Sequence, residues 1–397
     1  MTPNSIMKRF MALAAFTPLA LIPQAQGQIP NPAQQNPSSP IPPFLRAEHP
    51  REWSFPRDHA PHPEFQTEWW YITGNLETIP TQNQTSQPLG FQFTVFRRGL
   101  APIIHGQPPA PRTSAWATNQ VYLLHLGLAD LNREKFWHHS MTRRPVLGQA
   151  GAAEDTLHVF VEQSSLKLQN DGLWKVQGRT PEFAYELLLQ PTRPSLFHGP
   201  GGRDPKGPEP GQASYYYSMT RLQTQGWVQL GDSSTSQPVQ GISWMDHEFM
   251  TSTLAPGQTG WDWFCAMLDD GSDLMIYRLR LENGGVEPMS GGTLRRDDGT
   301  TVKITAQNMT IKPLETWRSP KTRARYPIKW QITVPKLQLN LTATSRAKNQ
   351  EMVDDGTMGF SYYEAATAYE GTLENRPVQG LGYMELTGYQ GSVEQAF

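Results

Sequence analysis

Trp244-Met245-Asp246-His247-Glu248 puts two carboxylates and an imidazole in consecutive positions beside an indole. A carboxylic acid held away from water keeps its proton towards neutral pH and can protonate a weak base such as an alkene. The carbocation that results is steadied by aromatic faces. On a strand, Trp244, Asp246 and Glu248 share one face and His247 takes the other; in a turn, all three polar groups could converge. Asp246 is therefore the candidate acid, with His247 or Glu248 positioning a water. Trp70, Tyr216, Trp244, Trp261, Trp263 and Tyr277 are the candidates to line an apolar ligand cavity, and twelve Trp and thirteen Tyr suffice to build one. The competing reading is structural, because aromatic residues favour and pair across sheets and an Asp-His pair is often a buried hydrogen-bonded pair. Glu68 is expected to pair with a buried arginine such as Arg97 or Arg221. Arg221 and Arg278 are expected to be internal partners of carboxylates.

Other chemistries find less support. His59 and His62 are three apart and His138-His139 adjacent, and neither pair has a helical pattern that would present two imidazoles to a metal. No G-x-S-x-G elbow stands in a strand–helix context, which disfavours a serine hydrolase. The loop from His198 to Pro208 is rich in Gly and Pro but lacks phosphate-loop spacing, and reads as a connection near a domain junction. Cys265 is the single cysteine and is expected to be a small buried strand residue. No metal or cofactor is expected.

Net charge is −2, with 34 basic and 36 acidic residues, so no basic excess exists to displace counterions from a nucleic acid. Lys8 and Arg9, an apolar run from Phe10 to Ile22 and Ala25-Gln26-Gly27 form a tripartite export signal, too short and Pro-broken to span a bilayer. Secretion or a periplasmic location follows, with a mature start near Gln28. No later stretch reaches the length of a membrane span.

These residues need elements to hold them, and the elements read as strands. Trp69 to Gly74 is aromatic and β-branched, and Gly90 to Arg97 alternates apolar and polar with period two. Val121 to Leu128, His158 to Gln163, Leu166 to Leu168 and Ala184 to Leu189 continue the pattern. Thirty-five prolines would break most helices, and only a short one near Gly356 to Ala368 is suggested. The pattern argues for an all-β chain of barrels or sandwiches. Glu68-Trp69-Trp70-Tyr71 followed by Phe93 to Arg97 is echoed by Trp261-Asp262-Trp263-Phe264 followed by Leu274 to Arg278. Each is an aromatic strand and then an alternating strand ending in Arg, as a tandem duplication would produce. The expected organisation is a signal over 1–27, a disordered leader over 28–47, and β domains over 48–238 and 239–397.

Several motifs in order also carry a family resemblance. Phe55-Pro56-Arg57-Asp58-His59, His62-Pro63 and Thr67 to Tyr71 resemble the opening of the hydroxyneurosporene synthase (carotenoid hydratase) and AttH-like family of predicted secreted hydrolases. Ser214 to Arg221 resembles its central strand. Trp244 to Glu248 and Gly260 to Phe264 resemble its second-domain hallmark, and Gly382 to Tyr389 its closing strand. The resemblance spans Trp53 to Tyr389 and implies two tandem lipocalin-like (calycin) domains. It does not imply a single reaction, because relatives include carotenoid hydratases and enzymes that guide cycloadditions. The leading expectation is a hydratase or isomerase acting on an apolar unsaturated molecule. The alternatives are a non-catalytic carrier of an apolar ligand and an accessory protein of an export complex. A carboxylate inside the cavity separates enzyme from carrier, whose cavity can be wholly apolar.

Overall fold

A computed structural model describes residues 43–391, apart from 81, 83–84, 104–113, 115–116, 232–234, 252–253, 355 and 357–358. The expected export signal, and the leader up to residue 42, lie outside the described residues. Residues 43–47 depart from the expected loose leader. Ala47 is buried, and the Leu45 N–H donates to the Glu64 carbonyl at 2.9 Å.

The first sheet contains β1 (Thr67–Thr78), β2 (Pro88–Gly99), β3 (Gln120–Asp130), β4 (Lys135–Arg143), β5 (Ala150–Ala152), β6 (His158–Val161), β7 (Ser164–Leu168), β8 (Trp174–Arg179), β9 (Phe183–Gln190), β10 (Leu196–Phe197), β11 (Arg203–Pro205), β12 (Ala213–Leu230) and β13 (Gln237–Met250). The second contains β14 (Gln258–Leu268), β15 (Asp273–Leu281), β16 (Gly291–Arg295), β17 (Thr301–Thr305), β18 (Thr310–Arg318), β19 (Arg325–Val334), β20 (Leu339–Ser345), β21 (Glu351–Met352), β22 (Tyr362–Leu373) and β23 (Arg376–Leu386). All named pairings are antiparallel. Each sheet curls around its own apolar core, giving two lipocalin-like barrels in tandem.

Both sheets run in the same order through their centres: β3-β2-β1-β13-β12 in the first and β16-β15-β14-β23-β22 in the second. In each, the opening strand lies between the second strand and the last. The echoed motifs fall on these equivalent elements, with Glu68 opposite Arg97 across β1–β2 and Asp262 opposite Arg278 across β14–β15.

The sheet changes between Met250 and Gln258, not at Pro238. β13 fills the slot between β1 and β12, so residues 239–250 belong with the first sheet. Pro238 stands near the start of β13, where a strand tolerates a missing N–H. The helix expected over 356–368 is replaced by β22. Both faces of β22 are covered: Tyr363 and Ala365 enter the second core, and Ala366 packs towards the first sheet. A strand buried on both faces shows no polar alternation.

A third apolar cluster joins the barrels, with Tyr71, Tyr216 and Trp244 from the first sheet meeting Trp263, Tyr277 and Tyr383 from the second. The sheets come close enough that a Cβ on Gly90 would lie 2.9 Å from that of Ala366, which explains a glycine inside β2.

Candidate active site between the two sheets

Strand alternation decides which side chains meet. Trp244, Asp246 and Glu248 project from β13 towards the second sheet, while His247 projects into the first barrel. In register, Tyr71 lies opposite Asp246 and Trp69 opposite Glu248 across β1–β13; Ser218 and Tyr216 take the same positions from β12. The second sheet answers with Trp263 opposite Glu385 across β14–β23. Glu385 occupies in the second repeat the position of Glu248 in the first, since Trp69 and Trp263 each directly follow the acid of an echoed motif.

A cavity of about 60 Å³ lies where these faces meet. Asp246, Glu248 and Glu385 line it together with Tyr216, Trp261, Trp263 and Tyr277. At roughly 10–15 Å³ per water it has room for a few waters, so a larger occupant must displace side chains such as the half-buried Trp69 and Trp261 on its wall.

Asp246 is 3% exposed. Its Oδ1 accepts the Ser218 hydroxyl at 2.5 Å and the Trp244 indole N–H at 2.7 Å, and its Oδ2 is engaged by the Tyr216 hydroxyl at 2.6 Å. The Trp263 indole donates to the Tyr216 oxygen at 2.9 Å. Burial pushes the Asp246 carboxyl up to about 7, even though these three hydrogen bonds favour its charged form. Burial likewise lifts Glu385 to about 8, helped by the charges of Asp246 and Glu248 and opposed by a hydrogen bond with Trp261. Glu364 lies opposite Glu385 on β22 and accepts from Tyr71 at 2.8 Å and Gln92 at 3.2 Å. Burial and the Glu385 charge hold Glu364 well above the usual carboxylate range.

Burial lifts Glu248 above the usual carboxylate range too, against the opposing pull of Lys206. Lys206 Nζ stands 3.0 Å from its Oε1, and Ser214 also donates to that oxygen. Lys206 bonds Asp204 at 2.8 Å as well, and its Nζ lies 4.1 Å from the centre of the Tyr277 ring. Burial works against the Lys206 charge, yet Asp204 and Glu248 hold its pKa well above that of an ordinary lysine. The wall therefore gathers carboxyls lifted by burial, one of them, Glu248, paired with an ammonium.

Trp70 and His247 are not cavity residues. They stack on each other inside the first barrel, with ring centroids 4.9 Å apart. Neighbours on a strand point to opposite faces, so Trp69 rather than Trp70 reaches the cavity. Trp244 serves as a donor to Asp246 within the inter-sheet cluster. His247 belongs to a buried network in which its Nε2 and the His62 Nδ1 both bond Glu68 Oε1, at 2.8 and 2.9 Å. Arg97 donates to Glu68 Oε2 at 2.8 Å, and the other ring nitrogens meet Tyr217 and Asp58. His62, Glu68 and His247 have metal-ligand composition, but their donor atoms are engaged with each other and with these partners. Burial would raise the Glu68 pKa; Arg97, together with hydrogen bonds from His247 and His62, keeps it well below the usual range. The expected Glu68–Arg97 pair is thus present. Arg221 pairs with Asp273 at 2.6 Å and Arg278 with Asp262 at 2.6 Å. Cys265 is buried in β14.

Sequence reasoning missed Lys206, Glu385 and Glu364. Lys206 sits in the Gly/Pro loop taken for a plain connection, next to an Asp that its charge could have matched. Glu385 lay in the closing-strand motif, where its alternation with Tyr383 carried the signal.

A family model described as AttH-like matches residues 46–389. Kievitone hydratase of Fusarium solani subsp. phaseoli is 24% identical over 251 residues, covering 60% of this chain and 68% of that protein. The crystal structure of an AttH-type protein from Nitrosomonas europaea is similar with a TM-score of 0.75 and 32% identity, covering 85% of this chain and 97% of that one. The crystal structure of kievitone hydratase from Nectria haematococca is similar with a TM-score of 0.63 at 13% identity, covering 87% and 95%, a likeness of fold.

Proposed function

The chain belongs to the AttH-like family, and on that premise we propose that it is a hydratase-type enzyme acting on an apolar, unsaturated small molecule in the inter-sheet cavity. The observation that carries the reading is Asp246, a carboxyl held to about 7 on an aromatic wall. Adding water to an unactivated alkene needs an acid still protonated at working pH, a dry site, and a base for the incoming water. Asp246 supplies the acid. The faces of Trp69, Trp261 and Trp263 suit a developing carbocation. Glu248, whose charged form Lys206 favours, receives the proton that the water loses. The relative named as a hydratase supports the reaction class at family level.

A carrier needs no carboxyl in its cavity, and this one holds three. The test is turnover of apolar alkenes in ¹⁸O-labelled water, read by mass spectrometry. Label in an alcohol product made by the wild type, and lost in Asp246→Asn, is the expected result. Apolar molecules that co-purify and are never converted would instead favour the carrier. Export remains part of the proposal on the strength of residues 1–27, and N-terminal sequencing of the exported protein should start near Gln28; an intact Met1 would count against it.

A further inference from the structure

Tyr216 is on the cavity wall, and its hydroxyl is within hydrogen-bond reach of Asp246 Oδ2. Where the hydrogens lie can be worked out from donors that have no choice. An indole N–H only donates, so Trp263 gives its proton to the Tyr216 oxygen, and Trp244 gives its own to Asp246 Oδ1. Ser218 also donates to Oδ1. Its single hydroxyl proton is then spent, so the 2.7 Å contact with His198 Nε2 runs from imidazole N–H to serine oxygen. The His198 Nδ1 consequently accepts from the Thr293 hydroxyl at 3.1 Å. His198 can hold this role because burial, the largest influence on it, pushes it down to about 3 and leaves it neutral.

Oδ1 of Asp246 therefore already accepts two donors, and Oδ2 is the oxygen left to carry the acid proton. When Asp246 is ionised, Tyr216 points its hydroxyl proton back at Oδ2. When Asp246 is protonated, Oδ2–H donates to the phenol oxygen, which now accepts two bonds, and the phenol proton is turned away from Asp246. We propose that Tyr216 is the group that delivers the proton to the substrate, with Asp246 acting through it and His198 and Ser218 as positioning residues that keep the Asp246 proton on the Tyr216 side.

The proposal rests on the hydratase reading. The Tyr216 proton passes to an alkene carbon as the C=C π pair forms the new C–H bond. The Oδ2 proton moves to the phenol oxygen, leaving Asp246 as a carboxylate that accepts from Ser218, Trp244 and the restored Tyr216 hydroxyl. Water bonds to the cationic carbon and loses one proton to Glu248. Glu248 then returns its proton to solvent and Asp246 takes one up, so the net change is alkene plus water to alcohol.

Tyr216→Phe separates delivery through the phenol from delivery by Asp246 itself. If the phenol delivers, Tyr216→Phe loses at least about a hundredfold in kcat/KM, the scale of a positioned acid, although Asp246 is intact. If Asp246 delivers directly, Tyr216→Phe stays active and the alkaline limb of its pH profile moves up, because a bond that favoured the ionised carboxyl has gone; that result overturns the proposal and leaves the hydratase reading standing. His198→Leu should move the alkaline limb up by loosening Ser218, while His198→Gln, which keeps a donor towards Ser218, should restore the wild-type limb; identical profiles for the two would remove His198 from the account. A measurement independent of turnover uses wild-type protein carrying ¹³Cζ-tyrosine, with Tyr216→Phe serving only to assign the signal. The Tyr216 resonance should titrate with a midpoint near that of Asp246, and vanish as a titrating signal in Asp246→Asn. A resonance that ignores pH across neutrality would refute the arrangement even if no substrate were found. Absence of alkene turnover by the wild type, with the titration present, would instead strike the hydratase reading.

Discussion

At the scale of single residues, the site depends on carboxyls kept from ionising, and this has a cost that can be measured. The ordinary aspartate pKa is 3.8 and that of Asp246 is raised to about 7. Between those values the folded chain keeps a proton that the unfolded chain has released. Stability from this group is therefore greatest at low pH, falls as pH rises through that window, and levels off above about 7. Asp246→Asn removes the ionisation. Its melting temperature should match the wild type at acid pH and equal or exceed it at alkaline pH, while activity is lost. A variant that melts much lower at every pH would mark Asp246 as a structural acceptor. Glu385 obeys the same sign with its folded pKa at about 8, so Glu385→Gln should gain relative stability progressively from about 4.5 upwards and level off above about 8. Asp246 and Glu248 were legible because one acidic run held them, and Tyr216, Trp261, Trp263 and Tyr277 because each sits in an aromatic strand motif. Trp70 and His247 were misplaced because run composition says nothing of which strand face points outward, although alternation already set His247 apart from Asp246. Lys206 and Glu385 are brought in by chain distant in sequence.

At the scale of elements, the duplicated strand pairs carry a repeated ion pair below the working face. Glu68 and Arg97 are both almost fully buried, and Asp262 pairs with Arg278 and Arg280. Removing one partner of such a pair leaves a charge stranded in the barrel, at a cost of about 3–5 kcal/mol. Glu68→Gln should lower stability by that order in denaturant unfolding, and a change within a few tenths of a kcal/mol would show the network to be dispensable. Glu68 is held well below the usual range, so its contribution is present above the ordinary carboxylate pKa and is lost only as pH falls through the depressed one. The strands were readable from alternation, and the echo of β1–β2 in β14–β15 proved to be a shared topology. The junction was not readable, because β13 is continuous in sequence with the second half yet pairs back with β1. β22 escaped for a related reason: burial on both faces erases the period that marks a strand.

At the scale of the whole molecule, the cavity exists because two barrels are pressed together, and one acid helps to clamp them. Asp273 of β15 is fully buried and receives Arg221 of β12 at 2.6 Å, Arg193 at 3.0 Å and Arg295 at 2.8 Å. Arg221 sits at a bulge in β12 with φ of 52°, which turns its side chain out towards the second sheet. Asp273→Asn should destabilise the chain by about 3–5 kcal/mol and let solvent into the cavity, lowering the Asp246 pKa; an unchanged unfolding midpoint would show that the apolar contacts suffice. The barrels, on this account, keep one carboxylic acid dry enough to hold its proton while its ordinary counterparts are ionised. Infrared difference spectroscopy reads that state directly, as the protonated-carboxyl stretch that Glu385→Gln protein shows in excess of the same protein carrying Asp246→Asn, the Glu364 contribution being common to both. This band should titrate away with a midpoint near 7; a band already absent in mildly acidic solution would contradict a protonated Asp246.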